Sequence, residues 1–216
     1  MSRLCGLRSV VVLIALALLL WGGSDATAKI FRTAVKKLCA DTSIPIPDGS
    51  ESGDFISGLV STGYTKTDCP PRLLCGYGGL PYGALVLDVD AKVRVQHPSV
   101  SDLDVILVDP TGGLTSLTAR GVGSGADFGA GSTGCRADFT IFDDASPVAL
   151  EGGGAGSPFA GRFRPLQPLA EHYRTFGAGD WRFYFDDVVP GNAGVVQALG
   201  LRLKYRYVVI RRGKHH

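Results

Sequence analysis

Apolar and polar residues alternate along much of the chain, most clearly between residues 84 and 97. One face of this segment carries only apolar residues: Leu85, Leu87, Val89, Ala91, Val93 and Val95. The opposite face carries Asp88, Asp90, Lys92, Arg94 and Gln96. A period of two residues is typical of a β-strand that is buried on one side. The segment therefore predicts a half-buried strand.

The same pattern continues towards the C-terminus. In "SDLDVILVDPTG" (101–112), Leu103, Val105 and Leu107 share one face, and the chain then turns at "DPTG". Further strands are predicted within 113–120, 135–144, 181–187 and 194–210. Short strands that alternate with turns, rather than with long helices, indicate an antiparallel sandwich or barrel.

The N-terminal part of the chain shows a different pattern. Phe31, Val35 and Leu38 lie near helical spacing, which predicts a short helix in a lead-in segment, 29–43. From Ile44 onwards the chain reads as a proline-stiffened extended entry to the domain. The predicted β-domain spans 44–207, and the basic segment 208–216 is predicted to be a tail.

The first 28 residues have the features of a secretory signal peptide. Arg3 and Arg8 form a basic start, Val10–Trp21 is an uncharged apolar run, and Ala26-Thr27-Ala28 offers small residues for cleavage. This run is shorter than the roughly 20 residues that a helix needs to span a bilayer. We therefore expect a secreted, extracellular chain with no membrane span after cleavage.

Composition narrows the possible partners. The formal net charge is only +2, which argues against a nucleic-acid partner. Aspartate outnumbers glutamate by 17 to 3, and there are 30 glycines and 12 prolines. Aspartate, glycine and proline favour turns, whereas glutamate favours helices. The composition therefore supports a fold with many turns and few helices.

Four cysteines remain after the predicted cleavage: Cys39, Cys69, Cys75 and Cys135. An even number in a secreted chain predicts two disulfides, for which three pairings are possible. Cys69 and Cys75 flank the short "PPRLL", which favours a local bridge and leaves Cys39 to pair with Cys135. Zinc is the competing interpretation, but the chain has no Cys-x-x-Cys and no histidine near these cysteines.

No catalytic motif stands out. The sequence contains neither Gly-x-Ser-x-Gly nor His-Glu-x-x-His. Only His97 and His172 lie within the predicted domain, and a structural histidine bonded to a loop is the simpler interpretation of each. A hydrolase hypothesis requires His97 to lie within hydrogen-bond reach of an aspartate and a serine in an open cleft.

Three pairs of carboxylates follow or precede predicted strands: Asp102 with Asp104, Asp143 with Asp144, and Asp186 with Asp187. Calcium takes six to eight oxygen ligands, which converging aspartate-rich loops supply. Aspartates at strand ends also cap turns and keep sheet edges soluble. Both interpretations stay open, since no Asp-x-Asp-x-Asp-Gly loop is present.

The order of motifs resembles the P/Homo B domain of proprotein convertases and kexin-like subtilases. The most specific stretches are His97-x-x-x-x-Asp-Leu-x-Val-x-Leu-x-x-Pro-x-Gly112 and "FDDA" (142–145). Two more follow in the family's order: Pro158-Phe-x-Gly-x-Phe-x-Pro165, and Gly179-x-Trp181 with a later Asp186. The resemblance covers roughly Ile44 to Leu203.

The resemblance implies a jelly-roll β-sandwich of about eight mostly antiparallel strands, with Trp181, Phe159 and Phe163 in its core. It also implies a structural calcium ion held by loop aspartates, which here are Asp102, Asp104, Asp143, Asp144, Asp186 and Asp187. In the convertases the module stabilises a neighbouring subtilisin-like domain. No catalytic triad of that kind is identifiable in this chain.

Three functional hypotheses follow. The first is a secreted, non-catalytic module that binds or stabilises a partner, such as a separately encoded subtilisin-like serine endopeptidase or another secreted or cell-surface protein. The second is a carbohydrate-binding jelly roll, which an exposed aromatic row beside aspartate and arginine on one sheet face would favour. The third is the hydrolase built on His97.

Overall fold

The computed structural model describes residues 28–49, 56–62, 80–81, 83–150 and 156–211. Two β-sheets and three short 3-10 helices account for their regular structure. The strands are β1 (Ala28–Ile46), β2 (Ile56–Ser61), β3 (Leu85–Gln96), β4 (Leu103–Val108), β5 (Leu114–Thr118), β6 (Thr140–Phe142), β7 (Gly161–Phe163), β8 (Asp180–Asp187) and β9 (Gly194–Arg211). The 3-10 helices are η1 (Val100–Asp102), η2 (Gly134–Arg136) and η3 (Leu169–His172).

The five-stranded sheet has the order β1-β9-β3-β6-β7, and the four-stranded sheet has the order β2-β8-β4-β5. The pairings of β3 with β6 and β9, and of β8 with β2 and β4, are antiparallel, whereas β6 and β7 are parallel. This arrangement confirms the predicted all-β sandwich. Within the described residues there is no α-helix, and none of the helices is long and apolar enough to cross a membrane.

The prediction of a short N-terminal helix is wrong, because β1 occupies that segment. Ala34, Leu38, Ala40 and Ile44 pack against the core, at intervals that fit a strand rather than one face of a helix. Phe31, by contrast, is exposed. Contact with the neighbouring β9 decides the conformation here, since isolated short helices are marginal in water. The predicted boundary at residue 43 therefore falls inside β1, and β9 likewise continues past the predicted boundary at 207.

The predicted alternation in β3 holds only from Val89 onwards. A register shift between Val86 and Asp88 changes the side on which the earlier residues lie. Val86 is buried in the core, while Leu85 and Leu87 are half-buried. An extra residue in one strand of an antiparallel pair moves all preceding side chains of that strand to the opposite face of the sheet. A two-residue alternation read from the sequence cannot detect this shift.

Aromatic side chains fill the space between the sheets. Phe128 packs against Phe142 and Phe159 with ring centroids 6.3 and 6.1 Å apart, and Phe159 packs in turn against Phe163. The Trp181 indole is fully buried, and its Nε1 donates a hydrogen bond to the Gly177 carbonyl at 3.0 Å. The prediction that these motif aromatics form the core is confirmed.

The predicted disulfide between Cys39 and Cys135 is confirmed, with an S–S distance of 2.05 Å. It connects β1 to η2 across 96 positions of sequence. The predicted Cys69–Cys75 bridge lies outside the described residues, as does nearly all of the predicted signal peptide, residues 1–28.

Candidate functional site

His97 lies immediately after β3 and is surrounded by hydrogen-bonding groups. Its ring is fully buried; Nδ1 is 2.7 Å from the Ser99 carbonyl oxygen, and Nε2 is 3.1 Å from Asp187 Oδ2. Its backbone N–H donates to Asp127 Oδ1 at 2.9 Å. The hydrolase hypothesis required an open cleft around this histidine. The geometry instead assigns His97 a structural role between β3, η1 and β8.

A second buried histidine–aspartate pair joins η3 to the turn after β4. His172 Nδ1 lies 2.8 Å from Asp109 Oδ2, and both side chains are almost completely buried. Asp109 Oδ1 accepts hydrogen bonds from the Thr111 N–H (2.7 Å), the Thr111 hydroxyl (2.6 Å) and the Gly113 N–H (3.0 Å). Gly113 is needed here, because an added Cβ would lie 2.7 Å from Asp109 Oδ2.

These hydrogen bonds lower the pKa of the Asp109 carboxyl group. Burial alone would raise the pKa of its carboxyl group, but the bonds from Thr111, His172 and Gly113 outweigh that effect and lower the pKa. The ring of Trp181 packs edge-on against His172, with centroids 5.4 Å apart. The sequence marked "DPTG" as a turn, but no local signal linked it to a histidine 63 residues later.

The predicted calcium ligands fall into two groups. Residues 102, 104, 186 and 187 have neighbouring backbones where β4 begins and β8 ends. Asp104 is the cross-strand partner of Asp186, whereas Asp187 lies opposite Leu103 and its carboxylate contacts His97. Asp102 Oδ2 accepts from the Asn192 amide at 3.1 Å, and Asp104 Oδ1 accepts from the Arg120 N–H at 2.6 Å.

Asp143 and Asp144 belong to the loop after β6 and have different partners. Asp143 is hydrogen-bonded by the Arg162 guanidinium and by the Ala145 N–H. The two oxygens of Asp144 accept from the N–H groups of Leu169 and Ala170, each at 2.8 Å. Asp144 therefore supplies the first turn of η3 with hydrogen-bond acceptors, as a capping residue does.

Among the described residues, three possible ligand atoms lie within 4.8 Å of one another only at Cys39, Asp41 and Cys135. Both cysteines of this group form the disulfide, which leaves no thiolate for a metal. Within the described residues, neither group of aspartates places three carboxylate oxygens within 4.8 Å of one another.

A network of ion pairs covers the outside of the five-stranded sheet. The sequence pattern predicted only a polar strand face here. Asp90 of β3 is only 1% exposed and lies 3.1 Å from Arg162 of β7 and 3.5 Å from Arg202 of β9. Arg202 also contacts Asp88 at 3.1 Å, and the Tyr173 hydroxyl donates to Asp88 at the same distance. The sheet order brings these charges together, because β9 pairs with β3 directly and β7 lies beyond β6 in the same sheet.

Two pKa values show how enclosed this network is. Burial raises the pKa of the Asp90 carboxyl group, and the Arg162 charge opposes that shift. Burial also raises the pKa of the Tyr173 hydroxyl, with the negative charges of Asp88 and Asp144 adding to the effect.

Two exposed aromatic side chains, Phe31 and Phe176, lie on the same sheet face beside this network, and Leu85 and Arg206 lie between them. Phe176 bridges to Leu85, Leu85 is the cross-strand partner of Arg206 in β9, and the Arg206 guanidinium lies 5.2 Å from the centre of the Phe31 ring. Phe31 and Phe176, at the two ends, are 62% and 58% exposed. We call these four side chains the aromatic row.

No protein-family model matches the sequence, and no curated protein matches it either. Two solved structures are similar: a serine protease of Aeromonas sobria in complex with a chaperone, and a serine protease of the same organism. Both are 15% identical to this chain, with TM-scores of 0.43 and 0.42. The matches cover 88% and 89% of this chain but only 29% and 30% of the other chains, so this chain spans under a third of their length.

Proposed function

We propose that this chain is a secreted, non-catalytic P/Homo B-like module that binds or stabilises a subtilisin-like serine endopeptidase. The observation that carries the non-catalytic part is the burial of His97 and His172, each of which contacts an aspartate inside the sandwich. A general base must reach the proton it removes, and neither ring does so here. The Cys39–Cys135 disulfide suits an oxidising, extracellular setting.

The positions of the motif residues support the family part of the proposal. His97, Asp102 and Pro110 lie around the start and end of β4, and the aromatic motif residues fill the core between the sheets. These residues therefore maintain the sandwich, as a module whose role is binding would require. Partner recognition then belongs to the outer surfaces.

The test is co-purification from the native secretome with the tagged, full-length chain. A subtilisin-like protease in the eluate, with a higher melting temperature when the chain is present, is the expected result. In parallel, the purified chain is treated with a fluorophosphonate probe, which labels activated serines, and we expect no labelling. Labelling at Ser99 or Ser101 would contradict the non-catalytic assignment.

A carbohydrate-binding role is the second candidate, and a specific observation favours it. The aromatic row lies beside the ion pairs of Asp88 and Arg202 on one sheet face. Aromatic faces with neighbouring planar polar groups are a common way to hold sugar rings. Binding of the chain to a glycan array, with no protease in the eluate, would favour this candidate over the first.

We also propose a structural calcium ion at Asp102, Asp104 and Asp186. The support is the cross-strand register, which sets Asp104 opposite Asp186: like charges on facing strands repel each other, and carboxylate oxygens are the ligand type that calcium takes. When bound, calcium would offset this repulsion and hold the ends of β4 and β8 together. Asp144 is left out of the proposed set, because both of its oxygens serve η3.

A further inference from the structure

The outer face of the five-stranded sheet combines exposed aromatic rings with cations that have no acidic partner. Within the described part of the chain, no carboxylate lies within ion-pair distance of the following cations on this face: Lys37, Lys92, Lys204 and Arg206. The nearby acids, Asp88 and Asp90, are already engaged by Arg162 and Arg202. This face therefore carries a surplus of positive charge.

The cross-strand register places these side chains on one face. Lys204 is the cross-strand partner of Asp88, and Arg206 that of Leu85, so both project to the same side of β9. Lys92 lies opposite Gly200, which has no side chain to cover it. Burial lowers the pKa of Lys92, Asp90 opposes that shift, and the positive charges of Lys37, Arg162 and Arg202 add to it.

The geometry points to an anionic polysaccharide as the ligand of this face. In this inference sugar rings stack on Phe31 and Phe176, and carboxylate or sulfate groups of the sugar chain pair with Arg206 and Lys204. The inference rests on the proposed non-catalytic binding role and deepens its carbohydrate candidate by naming the chemical class of the glycan.

The spacing of the aromatic row fits an extended ligand. Phe31, Arg206, Leu85 and Phe176 occupy four neighbouring positions across the sheet, and strands lie about 4.8 Å apart, so the row is about 14 Å long. The guanidinium carbon (Cζ) of Arg206 lies over the Phe31 ring, 5.2 Å from the ring centroid. This cation–π contact orients the guanidinium, whose flat donor set suits carboxylate and sulfate groups.

An acidic protein is the competing occupant, since it would also be attracted by the cations. Protein interfaces concentrate their binding energy in anchors that enter well-packed pockets. Here the aromatic rings lie at the two ends of an exposed row on a sheet surface, next to the charges rather than inside a pocket. Stacking along a row, with charges beside it, favours a chain of sugar rings.

Binding of the full chain to immobilised polygalacturonate and heparin, with neutral cello-oligosaccharide as the comparison, tests the inference. We expect affinity for at least one acidic glycan that falls steeply with added salt. The double variant Lys204→Glu/Arg206→Glu and the double variant Phe31→Ala/Phe176→Ala should each weaken it about tenfold or more. Arg182→Glu, an exposed charge reversal on β8 of the other sheet, is the matched control and should leave binding unchanged.

Three results would overturn the inference. Equal binding of neutral and acidic glycans, unaffected by Lys204→Glu/Arg206→Glu, would remove the anionic class and keep a carbohydrate role. Equal binding of poly-glutamate that survives Phe31→Ala/Phe176→Ala would indicate an acidic protein instead. No binding to either acidic glycan at low salt would remove a glycan role altogether. Co-purification with a protease is unaffected by each of these outcomes, and circular dichroism verifies that every variant folds.

Discussion

The aspartates at strand ends fall into two groups that have different neighbours in the sandwich. Asp109 and Asp144 are enclosed by donors, which supply hydrogen bonds to both oxygens of each carboxylate. Asp104 and Asp186 face each other across β4 and β8, which places two carboxylates side by side, and Asp104 also accepts a hydrogen bond from the Arg120 N–H. Similar sequence contexts have thus produced carboxylates that accept several hydrogen bonds in one place and a pair of facing carboxylates in the other.

The largest effect is expected from Asp109→Ala. Removing this carboxylate leaves the buried His172 and the donors of Thr111 and Gly113 without their acceptor. Leaving a buried donor without its acceptor costs about 1–3 kcal/mol of unfolding free energy for each group. Urea denaturation measures it, with Asp180→Ala at an exposed position as the control. A loss below about 1 kcal/mol would show that Asp109 is no different from a surface aspartate.

The second prediction concerns the loss of folding stability at low pH. Because the folded state lowers the pKa of Asp109, the unfolded chain binds the proton more readily. The stabilisation is therefore fully present above the usual aspartate pKa of about 3.9 and is lost as pH falls through the lower, folded-state pKa. Unfolding free energy measured from pH 6 down to pH 2 should fall more steeply in the natural chain than in Asp109→Asn. Parallel curves would contradict this.

Asp144→Ala should have a smaller effect. It removes the acceptor for the N–H groups of Leu169 and Ala170 at the start of η3, and the loss of a capping residue costs about 0.5–2 kcal/mol. Asp144→Asn keeps one side-chain oxygen and should recover part of the difference. Hydrogen exchange at the two amides is the most direct measurement, and unchanged protection in Asp144→Ala would exclude the capping role.

The smallest expected effect is that of Asp104→Asn, which alters the facing carboxylates and leaves Asp109 and Asp144 unchanged. Without calcium, Asp104→Asn should stabilise the chain by about 0.2–1 kcal/mol, because it removes a like-charge pair from facing strands. With calcium, the natural chain should melt higher than in EDTA, by about 2–4 °C for each kcal/mol of binding, and Asp104→Asn should not. Asp144→Asn, as the matched control, should keep the calcium response. Identical melts of the natural chain with and without EDTA would remove the proposed ion.

Much of the fold was predictable because it depends on local alternation. The strands β3, β4, β8 and β9 follow from the period of two, and the motif aromatics are buried as expected. β1 was not predictable in this way: its apolar residues are few, and contact with β9 rather than its own pattern makes it a strand. The register shift in β3 was hidden as well, because one extra residue changes facing without changing composition.

The candidate site was predictable only in its parts. The sequence marked Asp102, Asp104 and Asp186 as possible ligands, but it could not separate them from Asp143 and Asp144, since the loop after β6 is bonded to Arg162 and η3 only in the folded chain. The aromatic row was not predictable either. Its members come from four separate segments, and only the sheet order places them side by side.

The sequence by itself determined the strands β3, β4, β8 and β9, the core aromatics and the aspartates at strand ends, and it favoured the cysteine pair at 39 and 135. All of these depend on residue type, spacing or number, which are local properties or simple counts. The tertiary structure alone decided that His172 meets Asp109, that Asp104 faces Asp186, and that Phe31 and Phe176 lie at the ends of one row. Each of these is a contact between distant segments, set by sheet order and register, and those are fixed by how the whole chain buries its apolar faces.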